Sequence, residues 1–448
     1  MTYKVKNALV ILTDTFRLKD NPALYYASQN FTNIMLVYIH NNNYLGRPLG
    51  EATQIFLHYI LKSFSSELKQ KYNATLNLYL CENNNDYINI LQNLVSKYNI
   101  QGIFFSKHNN FNQNELNKVI AEKFNSLTVK QFLANTLFNN EDIKTNKNAT
   151  YSVYTPFSNK CLEIYDTKKV NIHPKPQVIN SIVDSFALNL DQLNLLPKHS
   201  WYNNMVSYWQ FDYAKIDEMV DSFFKNNAIN YHNTRNLLDI DGTSKFSPYL
   251  RFGVLSIKEL FAKAHNPENY NLTFIKELLW REFAYYSHSF YPQMHIAEIK
   301  PNFANFEWND NMDFLKKWQY SKTGFKIIDA AMNELYQTGY MHNRARMLVA
   351  SFLTKHLQVN WRFGEQWFFN TLVDADFASN PFSWQWVFGS GLDAAPYFRI
   401  FNPTLQQEKF DPQQIYINKW LPKNYNEQPI IDLKTQGAIA LGKYKALF

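Results

Sequence analysis

Cysteine is nearly absent from this chain. Cys81 and Cys161 stand alone, with no CxxC spacing and no neighbouring histidine cluster. This argues against a disulfide scaffold or a zinc site and leads us to expect a reducing, cytoplasmic setting. Long apolar runs are missing as well. No uncharged stretch approaches the roughly 20 residues of a membrane-spanning helix, so no membrane partner is expected. The apolar run at residues 8–12 is too short for a secretory signal. Glycine is scarce where a nucleotide-binding sheet would use it. Only Gly46, Gly50 and Gly102 precede residue 134, so that region has no GxGxxG phosphate cradle. Nor is there a strong excess of one charge: +7, from 45 basic and 38 acidic residues, permits a nucleic-acid partner without demanding one. An argument for DNA binding must rest on where particular residues fall.

Aromatic residues, by contrast, make up 17% of the chain, which suits a cofactor-lined interior. Length allows two or three domains. Short apolar runs at 8–12, 33–39, 76–80, 103–105 and 129–133 alternate with helical periodicity at 51–72, 86–98 and 112–124. Such alternation predicts a Rossmann-like α/β domain over residues 1–133, its parallel sheet flanked by helices. From 134 to 201 the strand pattern stops and Asn, Lys and Pro accumulate, as in a long connection. Residues 202–448 read as an all-α domain, with helical spacing at 217–226, 257–265, 274–287, 325–337 and 343–357. Its pattern runs almost to Phe448, with no extended tail.

The chemistry concentrates between Gly339 and Pro403. There the polar cluster His342-Asn343-Arg344-Arg346 and the carboxylates Asp374 and Asp376 sit in an apolar background with Trp361, Trp367, Trp384 and Trp386. Charges are rarely buried unpaired, so this mixture suggests a bound polar cofactor. Upstream, Thr243, Ser244 and Ser247 offer hydroxyls where a loop enters a helix, beside Phe246. Such groups can hold a diphosphate, although Ser and Thr before a helix are more often simple caps. Trp384 and Trp386, two apart on a helix, point to nearly opposite sides. Glu277 and Trp280 share one helical face, as do Asn343 and Met347.

Taken together, these segments resemble the photolyase/cryptochrome family, and within it the class I cyclobutane pyrimidine dimer photolyases. The motif is GTSKFSPYLRFG at 242–253, with Tyr231 at the family's upstream tyrosine position. The resemblance implies FAD bound by Tyr231, Thr243, Ser244, Phe246 and Ser247. It makes Arg346 and Asp374 a salt-bridged pair beside the flavin ring, puts Asp376 at the flavin carbonyl and ribose region, and has Asn380 facing flavin N5. It makes Trp384, Trp361 and Trp308 an electron relay to the surface and leaves Trp318 and Trp367 as packing residues. Glu277, Trp280, Asn343, Met347 and Trp386 would line the pocket for a flipped-out dimer, with Arg344, Arg399 and Lys409 on the DNA-facing rim. The implied reaction is light-driven electron transfer from reduced FAD into the dimer, which splits two C–C bonds and returns the electron. The partner would be DNA containing pyrimidine dimers, and the protein is expected to be a monomer.

Two features refine the resemblance. The (6-4) photolyases carry histidine at the Asn343 position and a second at Met347, and neither is present here. At the N-terminus, Phe16-Arg17-Leu18-Lys19-Asp20-Asn21-Pro22-Ala23-Leu24 matches the family's opening motif, while residues 11–15 and the 106–110 loop depart from it. These departures leave the second, antenna chromophore open among folate, deazaflavin, a second flavin or none. The rival reading is a cryptochrome-like photoreceptor, against which the missing tail and the intact lesion set both count.

Overall fold

The computed structural model describes residues 6–448 apart from 42, 44–45, 108–110, 169 and 395–397. Most of the 106–110 loop, where an antenna motif was sought, therefore lies outside the described residues. Five short strands, β1 (Asn7–Ile11), β2 (Asn33–Asn41), β3 (Leu76–Cys81), β4 (Ile100–Lys107) and β5 (Thr128–Leu133), pair in parallel in the order β3-β2-β1-β4-β5. Their apolar runs follow from burial on both faces. Along β1, Ala8 and Val10 face one core while Leu9 and Ile11 face another. Only the edge strand β5 keeps exposed polar positions.

Helices α1 (Pro22–Asn30), α2 (Glu51–Tyr72), α3 (Asn84–Lys97) and α4 (Phe111–Lys123) link the strands. The sequence reading did not anticipate α1. It starts where Asn21 accepts a hydrogen bond from the Leu24 amide and Pro22 occupies the first turn. α3 begins before the expected 86 because Asn83 caps it.

The connection after β5 is more ordered than its composition suggested. It contains α5 (Tyr154–Thr167), which packs on the helical domain, and it touches the sheet through bridges at Ile34–Ser181 and Leu78–Leu188. Thereafter come α6 (Asn203–Tyr208), α7 (Tyr213–Ser222), α8 (Tyr231–Thr234), α9 (Ser247–Arg251), α10 (Ile257–His265), α11 (Leu272–Phe290), α12 (Met312–Gln319) and α13 (Lys326–Thr338). They are followed by α14 (Asn343–Ser351), α15 (Trp361–Thr371), α16 (Ser379–Phe388), α17 (Pro403–Phe410), α18 (Ile415–Trp420) and α19 (Leu433–Lys445). The helix expected over 343–357 is α14 followed by a π turn at Phe352–His356.

The two domains are joined by buried polar groups. Arg17 donates to the carbonyls of Asp20, Ala134 and Gly253 and to Asn135 Oδ1. Arg251 pairs with Asp14 at 3.0 Å, and Ser256 donates to Asp20. Gly253 permits this approach. It adopts a left-handed φ of +59°, and a Cβ there would meet the Asp14 carbonyl oxygen at 2.0 Å. α2 lies between the sheet and the helices, with Phe56 against Trp209, Tyr249 and Phe252.

Candidate active site

α14 starts on a side-chain cap: His342 Nδ1 accepts from the Arg344 amide at 3.1 Å. With Nδ1 accepting, the imidazole proton sits on Nε2, which is buried and has no partner among the described residues. Burial, reinforced by Arg344, Arg346, Arg235 and Lys245, pushes the His342 pKa down to about 4, so the ring is neutral. One turn on, the Arg346 guanidinium grips Asp374 with two bonds of 3.1 and 2.9 Å and also donates to the Met341 carbonyl. Burial works against that charge and Asp374 outweighs it, leaving Arg346 more firmly protonated than usual.

The loop before α9 meets this pair. Ser247 Oγ donates to Asp374 Oδ2 at 2.6 Å, and Thr243 lies near the Tyr340 hydroxyl, whose pKa burial raises. Neither Thr243, Ser244 nor Ser247 caps α9, whose cap position is Phe246, so the plain N-cap reading of these hydroxyls does not hold. Tyr231, on α8, is buried against Phe223 and Phe274. Asp376 accepts from the Ala378 and Ser379 amides, from Ser379 Oγ and from the Tyr285 hydroxyl at 3.2 Å. The Asn380 amide donates both to the Glu365 carbonyl and to its carboxylate, and that carboxylate is held by two bonds from Arg47. A carboxylate only accepts, so Asn380 is turned with its nitrogen toward Glu365 and its oxygen left for another partner.

The residues expected from sequence to face the lesion sit on neighbouring helices. α16 packs against both α11, which carries Glu277 and Trp280, and α14, which carries Asn343 and Met347. Asn343 is exposed; Met347, Trp280 and Trp386 are half-buried. Glu277 pairs with Arg235 at 2.5 Å rather than with Arg281, which turns instead to Asn135 and Glu282. Burial raises the Glu277 pKa and Arg235 opposes the shift. One face of Trp280 is covered by Tyr154, stacked at 3.7 Å and 5°, so only the opposite face can meet a ligand.

The arrangement so far is a buried ion pair, a fixed amide and an unpartnered imidazole N–H, walled by aromatic side chains. Such a site fits a polar, planar cofactor. Over residues 274–445 the sequence matches the family described as the FAD binding domain of DNA photolyase, and over 8–178 the one described as DNA photolyase. A deoxyribodipyrimidine photo-lyase of Agrobacterium fabrum is 34% identical over 94% of this chain and 88% of its own. The chain belongs to the DNA photolyase family. Among solved structures, a bacterial class III photolyase from Agrobacterium tumefaciens superposes with a TM-score of 0.92 at 31% identity, covering 100% of this chain and 98% of that one. An archaeal photolyase from Sulfolobus tokodaii, described with two FAD molecules, shares the fold at a TM-score of 0.82 and 24% identity over 98% and 100% of the two chains.

In this photolyase-family chain Trp384 and Trp386 do diverge as the helical spacing predicted. Trp384 is fully buried against Phe368 and Trp318, while Trp386 lies at a cavity wall and donates to the Asp393 carbonyl. Burial falls outward along the proposed relay, from Trp384 and Trp361, each at most 1% exposed, to half-buried Trp308. No ring contact links the three, and the tryptophan touching Trp384 is Trp318. At the rim, Arg399 and Lys409 are exposed, whereas Arg344 is half-buried, donating to Asn236 and lying over Phe410.

Sequence reasoning missed Arg235, Tyr154, Arg47 and Glu365. Arg235 had a usable signal, four residues after Tyr231 on one turn of chain. The others meet their partners only through the tertiary fold. Among the described residues no cluster of His, Cys, Asp or Glu could hold a metal, and no helix is long and apolar enough to cross a membrane.

Proposed function

We propose that this protein is a light-dependent DNA repair enzyme that splits cyclobutane pyrimidine dimers and acts as a cytoplasmic monomer. The observation that carries the reading is the position of α16. This helix bears buried Asn380 and Trp384 and half-buried Trp386, and it packs on both α11 and α14, which carry the other residues proposed to face the lesion.

FAD would be held by Tyr231, Thr243, Ser244, Phe246, Ser247, Arg346, Asp374, Asp376 and Asn380, and when bound it supplies the light-driven electron. The orphaned Nε2–H of His342 offers that group one more hydrogen bond. Arg346 sets positive charge beside the ring, and Asp374 limits the buried excess. Asn380, with its nitrogen committed to Glu365, presents an acceptor oxygen that favours a protonated neighbour. Trp280 and Trp386 offer aromatic faces to the pyrimidine pair, and their bulk excludes water. Glu277 and Asn343 hydrogen-bond the polar edges, and Met347 gives a polarisable contact. Arg344, Arg399 and Lys409 would steer the DNA through phosphate contacts that salt weakens. Trp384, Trp361 and Trp308 would return electrons from the surface.

By this reading residues 1–133 form the antenna-type domain, 134–201 the connection and 202–448 the catalytic domain. Any second chromophore, whether folate, deazaflavin or flavin, would belong to the first, whose antenna site is otherwise left empty. Asn343 and Met347 present an amide and a thioether where (6-4) repair needs imidazole proton transfer. The test uses two defined oligonucleotides, one carrying each lesion, given to reduced, blue-illuminated protein and analysed by chromatography. Thymines should be restored from the cyclobutane dimer and the (6-4) product left intact. Repair of the (6-4) strand, or of neither strand with FAD fully reduced, would overturn the proposal, and the second result would favour a photoreceptor.

A further inference from the structure

Trp386 also forms part of the wall of a cavity of about 560 Å3 between the end of α16, residues 398–401 and α19. Pockets that enclose small organic ligands are about 300–1,000 Å3. Phe398 and Tyr444 give this one a stacked aromatic surface, their rings 4.6 Å apart and tilted by 11°. Lys300, Lys355, Arg399 and Lys445 line the same space, and no Asp or Glu side chain is among its described lining residues.

Lys355 carries most of the argument. It is 2% exposed and lies in the π turn after α14 among buried apolar neighbours such as Phe352, Leu353 and Leu357. Its ammonium donates to the Arg399 carbonyl at 2.5 Å and sits 4.4 Å from the Phe398 ring centre. Among the described residues no carboxylate pairs with it. An ammonium is expensive to bury without a counter-charge. Here burial, reinforced by Arg399, pushes its pKa down to about 7. Packing alone does not require a charge at this position, since a leucine or methionine would fill it without that penalty. An anion in the cavity would supply the missing counter-charge, and the aromatic wall suits a planar ring. Together these are the two halves of a nucleotide.

We propose that this cavity is a nucleotide subsite. It takes one unpaired nucleotide of the DNA strand adjoining the lesion, the base against the aromatic wall and the phosphate on Lys355, Arg399 and Lys445. The inference rests on the DNA reading above. A strand is favoured over a free nucleotide because Trp386 serves both the lesion pocket and this cavity, and Arg399 belongs to the rim.

The test places 2-aminopurine at successive positions on either side of a cyclobutane dimer and follows its fluorescence as the FAD-loaded protein binds in the dark. Stacking should quench the probe at one position. Tyr444→Leu should restore the signal there and weaken binding about fivefold to a hundredfold, and Lys355→Met should weaken binding as well. Lys445→Gln should lower the salt slope of binding by about 0.7 to 0.9. If lesion DNA is bound but no probe position responds to the cavity substitutions, the subsite is overturned and the lesion reading stands. If lesion DNA is not preferred yet undamaged strands carrying the probe still respond, the lesion reading fails and the subsite stands. If Lys355→Met instead destabilises the protein and leaves quenching intact, the lysine is structural and the inference fails. Saturable binding of thymidine monophosphate without any strand response would replace the DNA strand by a free nucleotide as the occupant and overturn the proposal.

Discussion

Two polar regions are buried in this molecule, and they are finished differently. At the domain junction Arg17 spends its donors on three carbonyls and Asn135, Arg251 meets Asp14, and Ser256 meets Asp20. Around α14 and α16, by contrast, His342 Nε2, Arg344 Nε and Trp384 Nε1 are buried with no partner among the described residues. Orphaned buried donors are rare in folded proteins and call for an explanation. The difference separates two uses of buried polarity. A joint closes its hydrogen bonds within the protein, whereas a binding site keeps some in reserve for what it binds. Arginine occurs in both regions, so residue type alone does not distinguish them.

The comparison can be broken most forcefully at the joint. The Arg17 guanidinium also stands 3.8 Å from the buried Asp20 carboxylate; Arg17→Met removes that cation, and removing one partner of a buried pair costs about 3–5 kcal/mol. The loss should appear equally in denaturant titrations of FAD-free and FAD-loaded protein. A loss confined to the loaded form would move Arg17 from joint to site.

On the site side, Trp280→Ala and Trp386→Ala should weaken dimer binding by about 1–3 kcal/mol each while FAD stays bound. Unchanged affinity for a dimer-containing duplex would remove these residues from the lesion pocket. A smaller and more selective effect is expected of His342→Asn. Asparagine keeps the helix cap and removes only the reserved N–H, so FAD-free stability should hold within about 0.5 kcal/mol. FAD retention, read by fluorescence on dilution, should fall about fivefold, the worth of one hydrogen bond. Equal retention would mean that the His342 donor serves no cofactor. Least disturbing of all should be Trp308→Phe, which keeps an aromatic ring. Folding and dark binding should be unchanged, and repair by enzyme reduced beforehand with dithionite should persist. Light-driven reduction of oxidised FAD should stop, and photoreduction at the wild-type rate would point to another route, with Trp318, which touches Trp384, the first candidate for its next step.

The inner parallel strands were readable from sequence because burial on both faces turns them into apolar runs, and the edge strand β5 through its shorter Val129 and Phe132-Leu133 signal. The relation of Trp384 to Trp386 was readable because helix geometry fixes it. α1 and α5 escaped notice. One lies inside a motif read for its resemblance, and the other sits in an Asn- and Lys-rich stretch whose burial depends on α11. Pairings across the fold were beyond reach for a related reason. Arg47 and Glu365 stand 318 residues apart, and no local pattern announces that they will meet or that their contact will orient Asn380. Glu277 shows the same limit at short range, since its helical neighbour Arg281 was the natural partner by spacing and Arg235 won through packing.

The place of α2 between the sheet and the helices has a consequence for synthesis. Its buried positions, from Ala52 and Thr53 through Phe56 and Leu57 to Phe64 and Leu68, wrap much of its circumference. One side can settle on the sheet as soon as the strands emerge. The other waits for Trp209, Tyr249 and Phe252, which leave the ribosome on the order of ten seconds later at about 5–20 residues per second. Until then Phe56 presents bare aromatic surface, and that interval is when the nascent chain is most exposed to aggregation and most in need of a chaperone.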